Sequence, residues 1–417
     1  MRARPEAPPN RLPGRLVACL FLAWAAARAL SVWLLGWGVG SDVARYRLIA
    51  RLWSAGAAPY AGFQLEYPPL ALPFLLAPLL VAGEPGYARA FGLEMVGFDL
   101  MGLWLVMAWA SRLHAGRMKP VVVAGVTYLA VTAGLFPVLY ARFDLVPATL
   151  TLAALYLAYG PAPGVAALLV GFAGAVKLWP LALAPLFCGL EQRRRGWPGA
   201  ARTASLVAVG FLVPLAAALA RSGTRVGEFL VFHYRRGIQL ESTWASLALV
   251  LADLGVAPVE VDTRFGAIHL QGPLASPLAH ASTPALLALA LAPQLVVLRR
   301  GLGGPLDRHG ERGLLAAGAA VLGFLIGGKV LSPQFLLWVA PILALLAGDA
   351  LGRILALAAA ALTTAIYPYL WPALLHQAPG HLAALAALVA RNALLVAFYR
   401  SLLGQLARSQ AYSASPD

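Results

Sequence analysis

The sequence predicts an all-α polytopic membrane protein, and three observations carry that expectation. Hydrophobic residues make up 60% of the 417-residue chain and charged residues only 12%, against about 25% charged in soluble domains. Apolar runs of ~20 residues, enough to cross a bilayer as a helix, recur along its whole length. Basic residues cluster between the runs, at Arg112, Arg117 and Lys119, at the three arginines 193–195, and at Arg299, Arg300, Arg308 and Arg312. Such clusters mark cytoplasmic loops and orient the helices. They also account for the net charge of +15. No basic patch interleaves with exposed aromatics, so a nucleic-acid partner is excluded. No polar stretch is long enough for a separate domain, and 1–417 reads as one integral membrane unit.

Taken in order, Arg2, Arg4, Arg11 and Arg15 precede an apolar run over 16–38. That run is too long for a signal-peptide core and ends on the interfacial residues Trp33 and Trp37, so it reads as an uncleaved first span behind a cytoplasmic tail, 1–15. Residues 39–87 form the first outside loop. It opens with a short helix from Asp42 to Trp53, with Tyr46, Ile49, Ala50 and Trp53 on one side and Arg47 and Arg51 on another. This pattern suits a helix lying in the headgroup layer, apolar side down. Prolines at 68, 69, 73 and 78 make 68–83 a half-inserted segment rather than a span. Spans follow over 88–110, 120–141, 145–160, 164–176, 178–190 and 200–221, then a second outside region, 222–281. The last are 282–298, 313–329, 334–347, 352–371 and 382–404, with a cytoplasmic tail over 405–417. The total is about twelve transmembrane helices with both ends inside. Cys19 and Cys188 fall in apolar runs, which gives a disulfide no support.

Two places break the apolar pattern alike. Gly171-Phe-Ala-Gly-Ala-Val-Lys177-Leu-Trp-Pro180 and Gly323-Phe-Leu-Ile-Gly-Gly-Lys329-Val-Leu-Ser-Pro333 each run from small residues through lysine to a proline that starts the next helix. The chain holds three lysines, and two stand at these turns. Each reads either as a snorkelling helix end or as a compact phosphate ligand. Arg28, Glu94, Asp99 and Arg391 fall in mid-membrane, at about 2.5–3.5 kcal/mol each on insertion scales. Arg28 and Asp99 lie at similar depth and are expected to pair.

Acidic residues gather outside: Asp42, Glu66, Glu84, Asp144, Glu228, Glu241, Asp253, Glu260 and Asp262 are more than half of the 17. Arg45, Arg142, Lys177, Arg235, Arg236 and Lys329 share that side. Opposite charges at one membrane face, against the positive-inside trend, suggest a polar pocket. The seven histidines are scattered without metal-ligand spacing, and no glycine-rich nucleotide loop is present. Asp42 follows Ser41 at a helix start and reads either as an N-cap or as a pocket carboxylate. Asp144 reads as a cap or as a partner of Arg142, and His233-Tyr-Arg-Arg236 as an interfacial anchor or as part of the pocket.

Several segments together resemble the GT-C superfamily of polyprenyl-phosphate-dependent glycosyltransferases, and more narrowly glycosyltransferase family 87. That family includes bacterial mannosyltransferases using polyprenyl-phosphate mannose. The segments are Asp42 with Tyr46, Pro59-Tyr60, Tyr67-Pro-Pro-Leu70, Arg142-Phe-Asp-Leu-Val-Pro147 and Val176-Lys-Leu-Trp-Pro180. They continue with Phe232-His-Tyr-Arg-Arg-Gly-Ile-Gln-Leu-Glu-Ser242 and Gly328-Lys-Val-Leu-Ser-Pro-Gln334. The resemblance implies a GT-C-like fold and assigns Asp42 as the base that takes the acceptor hydroxyl's proton. On this reading Lys177, His233, Arg235, Arg236 and Lys329 bind the donor phosphate, whose charge grows as it leaves. Asp144, Arg142, Glu66, Tyr67, Glu241 and Gln334 contact sugar or acceptor. It further implies inversion, a metal-free site with no cofactor, a lipid-linked sugar donor, a glycan or glycolipid acceptor, and a site on the outer face of the plasma membrane. The competing reading is a multi-span transporter or lipid-linked sugar flippase, for which paired broken helices are also typical.

Overall fold

The structure is a computed structural model that describes residues 14–35, 42–300, 310–346, 350–376 and 379–411. Helix α1 (Gly14–Leu35) is followed by α2 (Asp42–Ser54) and α3 (Ala71–Leu113). Then come α4 (Met118–Ala133), α5 (Phe136–Leu139), α6 (Leu145–Ala158), α7 (Pro163–Val176) and α8 (Ala184–Ser222). The region expected outside, 222–281, carries α9 (Glu228–Arg235) and α10 (Thr243–Asp253). The last part holds α11 (Ala275–Arg300), α12 (Glu311–Gly327), α13 (Leu336–Leu346), α14 (Ala350–Thr364), α15 (Trp371–His376) and α16 (His381–Ala411).

This is a membrane protein. Among the described residues five helical stretches are long and apolar enough to cross a bilayer by themselves: Ala71–Leu113, Trp179–Arg235, Ala275–Arg299, Ala350–Leu374 and His381–Arg408. Two of them are broken by glycines with positive φ, Gly83 at 62° and Gly196 at 70°. Gly83 sets 71–82 apart from the longer helix after it, where the sequence expects a half-inserted segment. Other apolar helices, such as α6 and α7, have 14 residues each, about 21 Å of rise.

The predominantly helical chain also holds a small antiparallel sheet, with β1 (Ile238–Gln239), β2 (Glu260–Asp262) and β3 (His269–Gln271) in the order β1-β3-β2. Strands of two or three residues are too short to leave an alternating pattern. Three expectations need correction. The helix expected over 120–141 stops at Ala133, because Gly134 and Pro137 separate it from α5. Residues 405–411 continue α16 rather than starting a tail, while 412–417 lie outside the described residues. The tail at 1–13 and the stretch 36–41 of the expected first span and loop also lie outside them. Finally, α2 turns its apolar side into the protein: Val43, Tyr46, Ile49 and Ala50 are buried while Arg47, Leu48 and Arg51 are exposed. Packing against protein removes that apolar area from water as a bilayer would.

The two small-residue runs perform the same task. A Cβ at Gly171 would strike the Val207 carbonyl and the Gly210 Cα of α8, and one at Gly323 or Gly327 would strike the α11 backbone. Absent side chains let the helix backbones touch, and close packing is what drives helix association where lipid replaces water. Each run then ends its helix, at Lys177 after α7 and at Gly328-Lys329 after α12.

Among the helices Arg28 Nε lies 3.6 Å from the buried Asp99 Oδ2, the pairing expected from the sequence. Tyr128 and Tyr140 donate their hydroxyls to the two Asp99 oxygens at 2.9 and 2.7 Å. Arg28 also donates to Thr132 Oγ1 at 3.2 Å. Tyr140 begins the turn that carries Arg142 and Asp144, so this buried cluster fixes the base of the site.

Candidate functional site

Six segments distant in sequence meet at one end of the helices. The Tyr67-Pro68-Pro69 segment is tied to the end of α7 by Leu70 N donating to Ala175 O at 3.0 Å. That brings Glu66 and Tyr67 beside Lys177. The start of α2 lies over the turn 140–144, where Tyr46 meets Phe143 edge-on at 5.7 Å between ring centres. From the other side, the Gln239 backbone N donates to Lys329 O at 2.8 Å, its side chain bonds Ser332 Oγ and Leu331 N, and Trp244 Nε1 donates to Gly327 O. The outer region is thereby clasped to the turn after α12.

The charges are ordered in pairs. Asp42, the first residue of α2, has Oδ2 at 3.2 Å from Arg142 Nε; the carboxylate side chain is 34% exposed and the arginine 11%. Arg45 Nη1 stands 3.4 Å from Glu66 Oε1. Burial opposes the charge on Arg45 while Glu66, Tyr67 and Asp42 favour it, and its pKa ends above the ordinary value. Beneath these, Asp144 is buried and its Oδ1 takes both the Lys177 ammonium at 2.6 Å and the Trp338 indole N–H at 2.5 Å. Four rings surround the Lys177 ammonium at 5.0–5.5 Å from their centres: Phe143, Phe335, Trp338 and Tyr67. Ring faces attract cations within about 6 Å, so the ammonium is held by charge on one side and π faces on the others. The Asp144 Oδ2 atom and the Tyr46 hydroxyl are buried without a hydrogen-bond partner.

The outer rim is cationic. Arg236 directly follows α9 with its side chain buried, where it feels Glu66, Tyr67 and Arg45, and its Nε donates to His269 Nε2 at 3.1 Å. Lys329 Nζ donates to Tyr234 O at 2.9 Å. Gly223 (φ 58°) ends α8, so His233, on the separate helix α9, lies beyond that span. Burial and the neighbouring Arg236 and Lys177 push His233 down to about 4, and burial with Arg236 does the same to His269. Both imidazoles are therefore neutral near pH 7. Beside them a groove of about 600 Å³ runs from Arg235, Arg236 and Lys329 past Gly237 and Gln271 to Ala279 and Thr283 at the start of α11. It joins a cationic end to the first turns of α11, where Ala275 and Ala279 alternate with Ser276, His280 and Thr283.

Of the residues marked by sequence, Asp42, Glu66, Tyr67, Arg142, Asp144, Lys177, His233, Arg236 and Lys329 fall into this one neighbourhood. Arg235 diverges from Arg236 and is exposed on the surface between the groove and a second cavity. Glu241 turns away and is buried, its Oε2 3.8 Å from Arg391 and its backbone oxygen accepting from Arg391 at 2.7 Å. Gln334 lies half-buried in the turn Pro333–Phe335. Trp338, His269 and Gln239 were not singled out. Trp338 had only its place in an apolar run, while His269 and Gln239 lie among the polar outer residues that flagged the region as a whole. Among the described residues no three His, Cys, Asp or Glu side chains gather as a metal ion would require.

No protein-family model matches this sequence, and no curated protein matches it by sequence. Among solved structures the chain is similar to ArnT from Cupriavidus metallidurans, crystallised bound to undecaprenyl phosphate. The TM-score is 0.51 at 16% sequence identity, with 94% of this chain and 78% of that chain covered. The two share a fold.

Proposed function

We propose that this chain is a GT-C-type glycosyltransferase that moves a sugar, mannose, from a polyprenyl monophosphate to a hydroxyl of a glycan or glycolipid at the outer face of the plasma membrane. The observation that carries the reading is the gathering of a one-third-exposed carboxylate, Asp42, in one charged cluster with Arg45, Glu66 and Arg236, where Arg236 and Lys329 also line a groove that runs onto α11. Similarity of fold to a protein crystallised with undecaprenyl phosphate supports the same donor class.

In this proposal the donor phosphate meets Arg236 and Lys329, with neutral His233 offering a hydrogen bond, and the polyprenyl chain follows the groove toward α11. Asp42 takes the proton of the acceptor hydroxyl as that oxygen bonds the anomeric carbon. The bond from that carbon to the phosphate oxygen breaks, and the departing phosphate keeps the electron pair. Fixed cations stabilise its growing charge. With one carboxylate in line and no covalent sugar intermediate, the configuration inverts. Arg142 holds Asp42 in position, and Lys177, whose charge Asp144 already balances, fixes the floor instead of binding phosphate. The site works without a metal or cofactor, because a monophosphate carries little charge and these side chains meet it. The arginine-rich loops face the cytoplasm, which puts this end outside.

Reconstitution with radiolabelled polyprenyl-phosphate mannose and candidate glycans tests the proposal. Wild type transfers label; Asp42→Asn inserts and folds normally but loses transfer by a factor of about 10²–10⁴. Wild-type transfer by Asp42→Asn would remove Asp42 from the mechanism. Solute uptake with no transfer from any polyprenyl-phosphate sugar would turn the reading to a transporter.

A further inference from the structure

A second cavity of about 450 Å³ opens beside the cationic rim and plays no part in the proposed chemistry. One wall is the loop 60–65 and the opposite wall is α9 with the 3₁₀ turn before it, while Phe265 at the tip of the β2–β3 hairpin closes one end. Tyr60 holds the loop in shape. It is a non-glycine residue at φ +64°, and its hydroxyl donates to Tyr67 O at 2.7 Å, inside the charged cluster. Such backbone conformations persist where surrounding contacts over-determine them, and they concentrate at ligand sites. Phe232 joins the two spaces: its ring meets Phe265 at 5.6 Å and lies under the Arg236 guanidinium at 5.5 Å.

The lining is distinctive. Phe63 and Phe265 are half-exposed, and Gln64, Arg225, Glu228 and Arg235 are exposed around them. Among the described residues no hydrogen bond or ion pair engages the side chains of those four. A lipid chain would leave these polar groups facing hydrocarbon, and a phosphate would meet Glu228. Sugar rings fit both features: their C–H faces lie on aromatic rings while their hydroxyls take bonds from amide, carboxylate and guanidinium groups. The volume is within the roughly 300–1,000 Å³ of small-ligand sites.

We infer that this cavity is a saccharide subsite holding an uncharged oligosaccharide, the acceptor's sugar chain beyond its reacting unit. The inference rests on the glycosyl-transfer reading, and Arg235 is thereby a contact of the acceptor as well as of the groove.

The test uses full-length protein in nanodiscs with three photoreactive trisaccharides, of mannose, glucose and N-acetylglucosamine, and maps the labels by mass spectrometry. Label from at least one probe is expected within 60–65 and 225–235, reduced about tenfold by either Phe63→Ala or Gln64→Ala, the second a surface change. Absence of label from all three, label elsewhere, or label indifferent to both substitutions would overturn the subsite. Retention of radiolabelled undecaprenyl phosphate by the same wild-type nanodiscs reports separately on the donor reading. Donor retained without saccharide label removes the subsite alone; saccharide label without donor retention removes the transferase account and the acceptor role with it.

Discussion

Arg142 grips Asp42 from below, Nε to Oδ2 at 3.2 Å, with the arginine nearly buried and the carboxylate one-third open. One carboxylate oxygen is thus held by the guanidinium. The turn carrying Arg142 is itself fixed by Tyr140 on Asp99, so the aim of Asp42 is tied to the buried Arg28–Asp99 ion pair.

Replacing that arginine tests the aim. Arg142→Gln is expected to lower kcat for sugar transfer by roughly 100-fold with a much smaller change in donor KM, the penalty of a misdirected group. Arg142→Lys recovers only part of the rate, since a single ammonium on a flexible stem does not reproduce the fixed geometry of a guanidinium. Steady-state kinetics with saturating acceptor check both.

The Asp144–Lys177 pair is nearly or fully removed from solvent, at 1% and 13% side-chain exposure. Lys177→Met leaves a buried carboxylate without its counter-charge, for which the cost is about 3–5 kcal/mol. Combining Asp144→Asn with Lys177→Met removes both charges and is expected to restore most of the lost thermal stability. Unfolding curves in detergent for the single and double variants decide it; equal losses would show that the pair does not couple.

The rim histidines set a pH response. His233 and His269 are pushed down to about 4 in the folded chain, against an ordinary value of 6.5. A histidine whose folded pKa is depressed contributes stability in full above its unfolded value, and loses it as pH falls through the folded one. Between about pH 6.5 and 4 the unfolded chain binds more protons, so stability drops by at most about 1.4 kcal/mol per pH unit for each imidazole. Thermal unfolding scans of wild type and His269→Gln should agree above pH 7 and diverge below 6, with wild type falling more steeply.

The close helix contacts give a fourth expectation. Gly171→Ala and Gly323→Ala each drive a methyl into a neighbouring helix's backbone, and overpacking of this kind costs about 1–3 kcal/mol. Gly171→Ala should also reduce transfer, because it shifts the end of α7 that carries Lys177. Gly97→Ala, where a Cβ would meet open space, is the control. Paired melting temperatures and transfer rates check the contrast.

Much of the architecture was legible in the chain because its causes are local. Helix rise and bilayer thickness place Arg28 and Asp99 at one depth from sequence counting alone, and the ion pair is there at 3.6 Å. Asp42 just past the first apolar run, and the two glycine-to-lysine breaks, are likewise visible as interruptions of a period. The sheet was missed because strands of two and three residues carry no period, and the inward face of α2 because an amphipathic helix reads alike against lipid or protein.

By itself the sequence determined a membrane protein, where its helices run, and that acids and bases gather at one end, since hydrophobic length and charge asymmetry are properties of neighbouring residues. Only the tertiary structure decided the pairings: Asp42 with Arg142, Asp144 with Lys177 and Trp338, and Glu241 with Arg391 rather than with the cavity. Those partners are separated by 33 to 194 positions in the chain. Which of them meet is settled by the helix faces that glycine contacts bring together, a relation that no stretch of sequence contains.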